Sequence, residues 1–436
     1  MPYNRRTFIQ HASAAVAGSI VVPSLAWGKK HTVIGANDRL NVALIGCKNM
    51  GWANLTDFLT QENTRCVALC DIDRGILDAR AAELKNLQGA APDVYGDYRK
   101  MLDRQDVDIV IIATPDHWHC LQFVDACKAG KHVYIEKPIG NSIAECDVMV
   151  RAAQRYGNIV QVGQQQRSGK LWKDMVAYIQ TGQLGRIGNV HVWANFGYAA
   201  LGSPVPDSSV PQGVDFDTWL GPARQRPFNP QRFHGVWRLF WDYGGGLMTD
   251  WGVHLLDMAL WAMDIDHLDV TIAARGGNFL YPEGAHETFD TQHVIYGFDH
   301  FTMTWENHAR PEPGPYGKHY GVLFNGTNGT LVANRESWEV YPDREKIAVE
   351  KRTTDHQDHR DHVNDFLTCI KEGRRNTACP IEVGSLCAKY AQIGNISARI
   401  GGAALRYDDN KRTFNNKAAD AYLKPRYRTP WVFPNV

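Results

Sequence analysis

From residue 40 to about residue 162, short runs of continuous apolar residues alternate with helical patterns. The runs are Asn41-Val42-Ala43-Leu44-Ile45-Gly46, Cys66-Val67-Ala68-Leu69-Cys70-Asp71, Asp108-Ile109-Val110-Ile111-Ile112-Ala113 and His132-Val133-Tyr134-Ile135-Glu136. A strand with one wet face would alternate polar and apolar residues. These do not, so both faces of their sheet must be covered. Helix-like stretches over 72–87 and 121–129 supply that cover. The pattern predicts an α/β fold that opens on a doubly wound parallel sheet of the Rossmann type, over residues 38–162.

After about Gly163 the texture changes. Strand candidates over 190–196, 293–296, 301–305 and 320–324 alternate, and Gly and Pro turns separate them. They predict a second α/β domain over 163–405 with a large, mainly antiparallel open sheet, one face exposed or used for assembly. Helical patterns over 250–263 and 362–371 cover its other face. Residues 204–213, rich in Pro, Ser and Asp, read as a surface loop. Residues 406–436 read as a C-terminal arm, with three prolines beyond Thr413.

At the start, Arg5-Arg6 sits in Asn4-Arg5-Arg6-Thr7-Phe8-Ile9-Gln10, ahead of an apolar stretch over 12–25 too short to span a bilayer. Ser24-Leu25-Ala26 offers small residues where a signal peptidase reads. Residues 1–30 are therefore expected to be a twin-arginine signal peptide, cleaved near residue 26, that sends a folded protein to the periplasm. The remaining chain of about 410 residues is enough for two or three domains of roughly 100–200 residues each. Lys plus Arg equals Asp plus Glu, 47 of each, which argues against nucleic acid or an anionic membrane as partner. Beyond the leader no apolar run is long enough for a membrane helix. The nine cysteines are odd in number and lack tight pair spacing, so they read as reduced core residues of a chain folded before export.

Gly46-Cys47-Lys48-Asn49-Met50-Gly51 follows the first strand. Glycines hold the first and third positions of the dinucleotide fingerprint, but Lys48 stands at the middle one. Lys48 either sets its ammonium on a pyrophosphate or blocks the site. Asp71 closes the second strand, where a carboxylate binds both ribose hydroxyls and repels a 2′-phosphate. That favours NAD, while Arg74 nearby keeps NADP open. The plainer alternative is that Asp71 caps a helix starting at Ile72. Ala113-Thr114-Pro115-Asp116-His117-Trp118-His119 and Glu136-Lys137-Pro138 follow two further strands, at the carboxyl ends where such sheets bind ligands. His117 and His119 read as helix start and cofactor contact rather than metal ligands, and no metal site is assigned.

The glycine turn, Ala113-Thr114-Pro115, Glu136-Lys137-Pro138 and a later Asp-x-x-x-His together resemble the Gfo/Idh/MocA family, as do Gly163-Gln164-Gln165-Gln166-Arg167-Ser168, Trp219-Leu220-Gly221-Pro222 and the segment from Gly244-Gly245-Gly246 through His254. In particular they resemble the family's exported bacterial branch. The resemblance implies a Rossmann domain, an open-sheet domain that often mediates oligomers (here a homodimer or homotetramer), and NAD(P)-linked chemistry on sugars or polyols. The expected cofactor contacts are Gly46, Lys48, Asn49, Met50, Gly51, Asp71, Thr114, Pro115, His119, Glu136, Lys137 and Gln165.

Asp250 and His254 are four residues apart and share a helix face. Oxidising a carbinol needs a base for the hydroxyl proton, and a lysine can steady the oxygen as charge develops on it. Lys137 is therefore expected to orient and polarise the substrate oxygen, with His254 as acid/base. Asp250 orients the substrate or His254, or shares the proton transfer. The resemblance carries the same three positions; the plainer alternative is a polar helix start. Trp237, Trp241 and Tyr243 either stack on a sugar ring, with Arg238 and Asp242 on its hydroxyls, or fill a core. Arg167 joins the expected substrate contacts. The run Asp355-His356-Gln357-Asp358-His359-Arg360-Asp361-His362 looks metal-like but reads as the opening of a helix through Phe366 and Ile370.

The expected activity is oxidation of a hydroxyl on a sugar, glycoside or polyol. Outside the cytoplasm no soluble NAD is supplied, so the cofactor should stay bound through turnover. Two sugars can be oxidised and reduced in alternation, an external partner can take the electrons, or oxidation can be transient and permit elimination before re-reduction. The last scheme makes an NAD-dependent glycosidase or lyase, although the His-Gly-Leu-Gly-type segment of the family's glycosidases is not recognisable. A non-catalytic sugar-binding relative is the third reading, with Lys48 in its favour.

Overall fold

A computed structural model describes residues 39–436; Arg5-Arg6, the expected signal peptide and its expected cleavage site lie outside the described residues. Strands β1 (Leu40–Ile45), β2 (Thr64–Cys70), β3 (Asp93–Tyr95), β4 (Ile109–Ile112), β5 (His132–Ile135) and β6 (Val160–Val162) form one sheet in the order β3-β2-β1-β4-β5-β6. Every pairing in it is parallel. Helices α1 (Asn49–Leu59), α2 (Arg74–Gln88), α3 (Asp116–Lys128) and α4 (Ile143–Tyr156) make the crossovers. β4, β5 and β6 are buried at every position, as continuous apolar strands under two helical layers must be. The chain reverses direction of travel between β1 and β4, which opens a crevice at their carboxyl ends. β3 and β6 went unanticipated, because three residues each make no readable apolar run.

Two helix starts differ from expectation. α2 begins at Arg74, and Asp73 caps it by accepting from Gly75 N and Ile76 N. Asp71 is therefore not the cap. α3 begins at Asp116, because Pro115 takes the cap position and its fixed φ suits a helix entrance.

The second sheet has eight strands: β7 (Ile187–Asn195), β8 (Thr271–Gly277), β9 (Thr291–Gly297), β10 (Thr302–His308), β11 (Tyr320–Gly326), β12 (Gly329–Ala333), β13 (Ser337–Pro342) and β14 (Lys351–Thr353). Their order is β14-β13-β12-β11-β7-β10-β9-β8, and only β7 and β10 pair in parallel. The fold is thus α/β, a Rossmann sheet followed by a large, mostly antiparallel one. Helices α5 (Lys170–Gln180), α6 (Val253–Ala262) and α8 (Ile381–Arg399) bury one face of this sheet in a core that includes Trp172, Leu256, Trp305 and Tyr296. α7 (Asp358–Glu372) returns to the first domain, where Phe366 meets Phe58 and Tyr134 edge-on.

All nine cysteines are buried and unpaired. Burial pushes the Cys66 thiol up to about 12, so it behaves as an apolar side chain. The C-terminal arm packs back on the Rossmann layer: Trp431 meets Trp118 edge-on and the Tyr427 hydroxyl donates to Glu145 Oε1 at 2.6 Å.

Candidate active site

The crevice between β1 and β4 widens into a cavity of about 1100 Å³, including the solvent at its mouth. Its floor is the turn after β1. Gly46 has φ +88°, and a Cβ there would stand 2.7 Å from Ala113 O. A Cβ on Gly51 would stand 1.9 Å from Gly46 O. Both positions exclude every side chain, so the two fingerprint glycines meet a steric requirement. Lys48 is exposed at the rim and lines the cavity without filling it. The amino end of α1 carries neither a side-chain cap nor an acidic residue in its first turn; Gly51 N donates to Lys48 O at 3.0 Å, and the Asn49 and Met50 amides remain for an anion. Asp71 lies at the carboxyl end of β2, holding Cys47 N at 2.7 Å and Asp73 N at 3.0 Å on separate oxygens. Each oxygen keeps a lone pair for a ribose hydroxyl. Arg74 pairs instead with Asp78 at 2.8 Å. A dinucleotide fits these groups.

At the inner end, Glu136 accepts from Asn54 Nδ2 at 2.8 Å and from its neighbour's amide, Lys137 N, at 3.2 Å. The Lys137–Pro138 bond is cis. His119 has Nδ1 2.7 Å from Pro138 O and Nε2 2.8 Å from Thr114 O, which ties the end of β4 to this junction. Lys137 crosses to the second domain, where Nζ donates to Asp250 Oδ1 at 2.7 Å and to Asp250 O at 3.0 Å. The Tyr198 hydroxyl donates to the other oxygen, Oδ2, at 2.8 Å, and Arg238 Nε stands 3.3 Å from Oδ1. Burial alone would raise the Asp250 carboxyl, but the Lys137 and Arg238 charges outweigh it and hold the group well below the usual carboxylate range. Asp250 lies in a π-helical turn, Met248–Gly252, that runs directly into α6. Such turns recur at functional sites. His254 is one turn further on, buried, with Nδ1 unpartnered. Burial, then the Lys137 and Arg335 charges, push its pKa well down, so it is a neutral imidazole at pH 7.

Residues 40–164 match the Gfo/Idh/MocA family model described as an oxidoreductase family with an NAD-binding Rossmann fold, and residues 173–277 match the same family's C-terminal alpha/beta domain. The chain belongs to the Gfo/Idh/MocA family. Its first sheet is thus an NAD-binding Rossmann domain. A glycosyl hydrolase family 109 protein from Shewanella is 33% identical over 172 residues, which span 35% of this chain and 37% of that protein. Among solved structures, an NAD binding oxidoreductase from Klebsiella pneumoniae superposes with a TM-score of 0.65 at 20% identity, over 85% of this chain and all (100%) of that one. An aldose-aldose oxidoreductase from Caulobacter crescentus gives a TM-score of 0.63 at 18% identity, over 84% and 99%. At these identities the superpositions show the fold.

Within this family member, Gly46, Lys48, Asn49, Met50, Asp71, Thr114, Pro115, His119, Glu136, Lys137, Trp237 and Arg238 line one cavity. Gly51 lies directly beneath it. Asp250 and His254 adjoin the cavity through Lys137 and are not among its lining residues, and five other expected contacts lie elsewhere. Gln165 is buried in the 3-10 turn after β6 and does not line the cavity. Arg167 is committed to Asp257, donating from Nε at 2.8 Å and Nη2 at 2.8 Å, because a buried carboxylate needs a paired cation. Tyr243 is fully buried against Trp219 and His117, and so belongs to a core. Trp241 packs on Phe289 beneath the Arg399 guanidinium. Asp242 likewise pairs with Arg226 at 2.9 Å. The aromatic faces beside Asp250 are instead Tyr198 and Trp251, with Phe196 4.6 Å from Trp251. Neither lies in a recognisable motif; only Trp251's place next to Asp250 could have drawn attention to it. His117 brings Nε2 to 3.0 Å from Trp219 O, and His362 brings Nε2 to 2.8 Å from Val162 O.

Proposed function

We propose that this protein oxidises a CH–OH group of a sugar, glycoside or polyol, using NAD held in the β1–β4 crevice. The observation that carries this reading is the Lys137–Asp250 contact, which joins the inner end of the cavity to the helix bearing His254. When bound, NAD supplies the hydride acceptor. Two of the three Lys137 ammonium hydrogens are directed at Asp250, and the third is free for the substrate oxygen. Asp250, kept ionised, is a poor base; its part is to hold Lys137. The neutral His254 takes the hydroxyl proton as the carbonyl forms. Tyr198, which is exposed, offers a ring face to a pyranose, whereas the Trp251 ring is covered by Arg335, Phe196 and Tyr320.

The Arg5-Arg6 leader adds a periplasmic location, with nucleotide loaded before export and retained through turnover. Alternating oxidation and reduction of two sugars meets that demand, and the Caulobacter neighbour's name, aldose-aldose oxidoreductase, describes such a reaction. The glycosyl hydrolase family 109 relatives favour a second reading, redox-neutral glycoside cleavage through a transient ketone. Both readings use the same Lys137, Asp250 and His254.

The test is to purify the protein without added cofactor, denature it and quantify released NAD and NADP. Near-stoichiometric NAD, followed by a product lacking two hydrogens from a supplied sugar, supports the first reading. Release of the aglycone from a supplied glycoside supports the second. An empty protein that takes up neither nucleotide sinks both and leaves a sugar-binding role.

A further inference from the structure

The face of the large sheet opposite α6 and α8 carries a cluster that no sequence motif announces. β10 lies between β7 and β9, and His293 of β9 is directly opposite Glu306 of β10. His308 follows Glu306 by two residues, so it shares that face. One ligand atom from each of His293, Glu306 and His308 lies within 4.8 Å of the others. His293 Nδ1 is 3.7 Å from Glu306 Oε2. On the other side, His191 of β7 brings Nε2 to 3.5 Å from Oε1 of the same carboxylate.

We propose that His293, Glu306 and His308 form a binding site for a divalent first-row transition ion, zinc above all. Two imidazoles and one carboxylate are a donor set for zinc and its neighbours, whereas magnesium and calcium take oxygen ligands. Ligand bonds of about 2.0–2.2 Å place donors in a tetrahedral site roughly 3.3–3.5 Å apart, so the three close on an ion by side-chain rotation alone. The backbone need not move, because strand register already sets the three Cα atoms. His293 is exposed and leaves the ion a direct approach, while Glu306 and His308 are half-buried. His191 holds the second oxygen of Glu306, as outer partners of ligating carboxylates do, and acts as a positioning residue. Water completes the shell. None of the four residues lines the dinucleotide cavity, so the site is separate from the hydride chemistry and does not rest on the proposed activity.

The test is equilibrium dialysis of the chelator-stripped protein against zinc, with cobalt(II) as a spectroscopic probe. One ion per chain is expected, and cobalt should give visible absorption bands of four- or five-coordinate intensity. The double variant His293→Ala/His308→Ala should lose that ion while thermal unfolding and released nucleotide stay as in the parent. His191→Ala should keep the stoichiometry and weaken affinity by about 10–100-fold. Less than one ion per chain at saturation, or an unchanged isotherm in the double variant, overturns the proposal.

Discussion

Lys137 and Arg167 show how differently two buried cations are used. Lys137→Met should lower turnover by roughly 10²–10⁴ with nucleotide content unchanged: it removes the group proposed to sit on the substrate oxygen, while Tyr198 and Arg238 stay on Asp250. Near-normal turnover would take Lys137 out of the mechanism. Arg167→Met should instead cost about 3–5 kcal/mol of stability, because it strands Asp257, a carboxylate only 1% exposed, without its partner. Urea unfolding measures that loss; an unchanged midpoint with a raised KM for the sugar would restore Arg167 to the substrate site. Three histidines contribute to a pH dependence. Burial pulls His117 and His119 down to about 4 and His362 to about 3, against about 6.5 in an unfolded chain. Between those values the unfolded chain binds more protons, so stability is fully present above about pH 6.5 and drains as pH falls towards 4. At pH 5 each should cost roughly 2 kcal/mol. The urea midpoint should drop from pH 7.5 to pH 5, and His362→Asn should flatten that slope.

At the scale of elements, the β1–α1 turn is where local sequence and global packing agree most closely. Gly51→Ala places a methyl against a backbone carbonyl that cannot swing aside. The helix must shift, at about 1–3 kcal/mol, and its amides leave the pyrophosphate position. Lower thermal stability together with loss of bound nucleotide is expected; retained stoichiometric NAD would argue that the turn is not the phosphate site. The central strands were legible because continuous burial leaves a composition that polar alternation cannot mimic. β3, β6, β8, β12, β13 and β14 were not, being short, at or near sheet edges, or polar on one face. The start of α2 went astray for a local reason: two carboxylates two residues apart, Asp71 and Asp73, both suit a cap, and only the strand's end decides which one turns to the helix.

For the whole molecule, the C-terminal arm links distant parts. Its Tyr427 supplies a donor to Glu145, a carboxyl buried and pushed up to about 7, and Trp431 backs Trp118, which lines the dinucleotide cavity. Truncation after Lys424 should destabilise the protein by about 1–3 kcal/mol through that unpaired group and should speed nucleotide loss. Calorimetry and the rate of NAD release on dilution check both; unaltered release would confine the arm to a packing role. Retention of the cofactor is what a periplasmic redox enzyme would need, so the arm's position against the cavity wall bears on the proposed location as well.

Residue periodicity and the glycine turn by themselves determined the Rossmann layer, its crevice and the residues at its strand ends, because burial pattern, φ preference and strand-end position are local properties. Asp250 and His254 were readable as a pair for the same reason, through helical spacing. What only the tertiary structure decided is which polar groups meet. Lys137 reaches Asp250 across 113 residues of chain, and Arg167 is drawn to Asp257 across 90. Trp241 and Tyr243 turn into cores while Tyr198 and Trp251 take the place beside the carboxylate. His191, His293, Glu306 and His308 converge only because three strands pair in one register. Such contacts depend on where separate elements pack, and on which buried charge finds the nearest partner, and neither is written in local spacing.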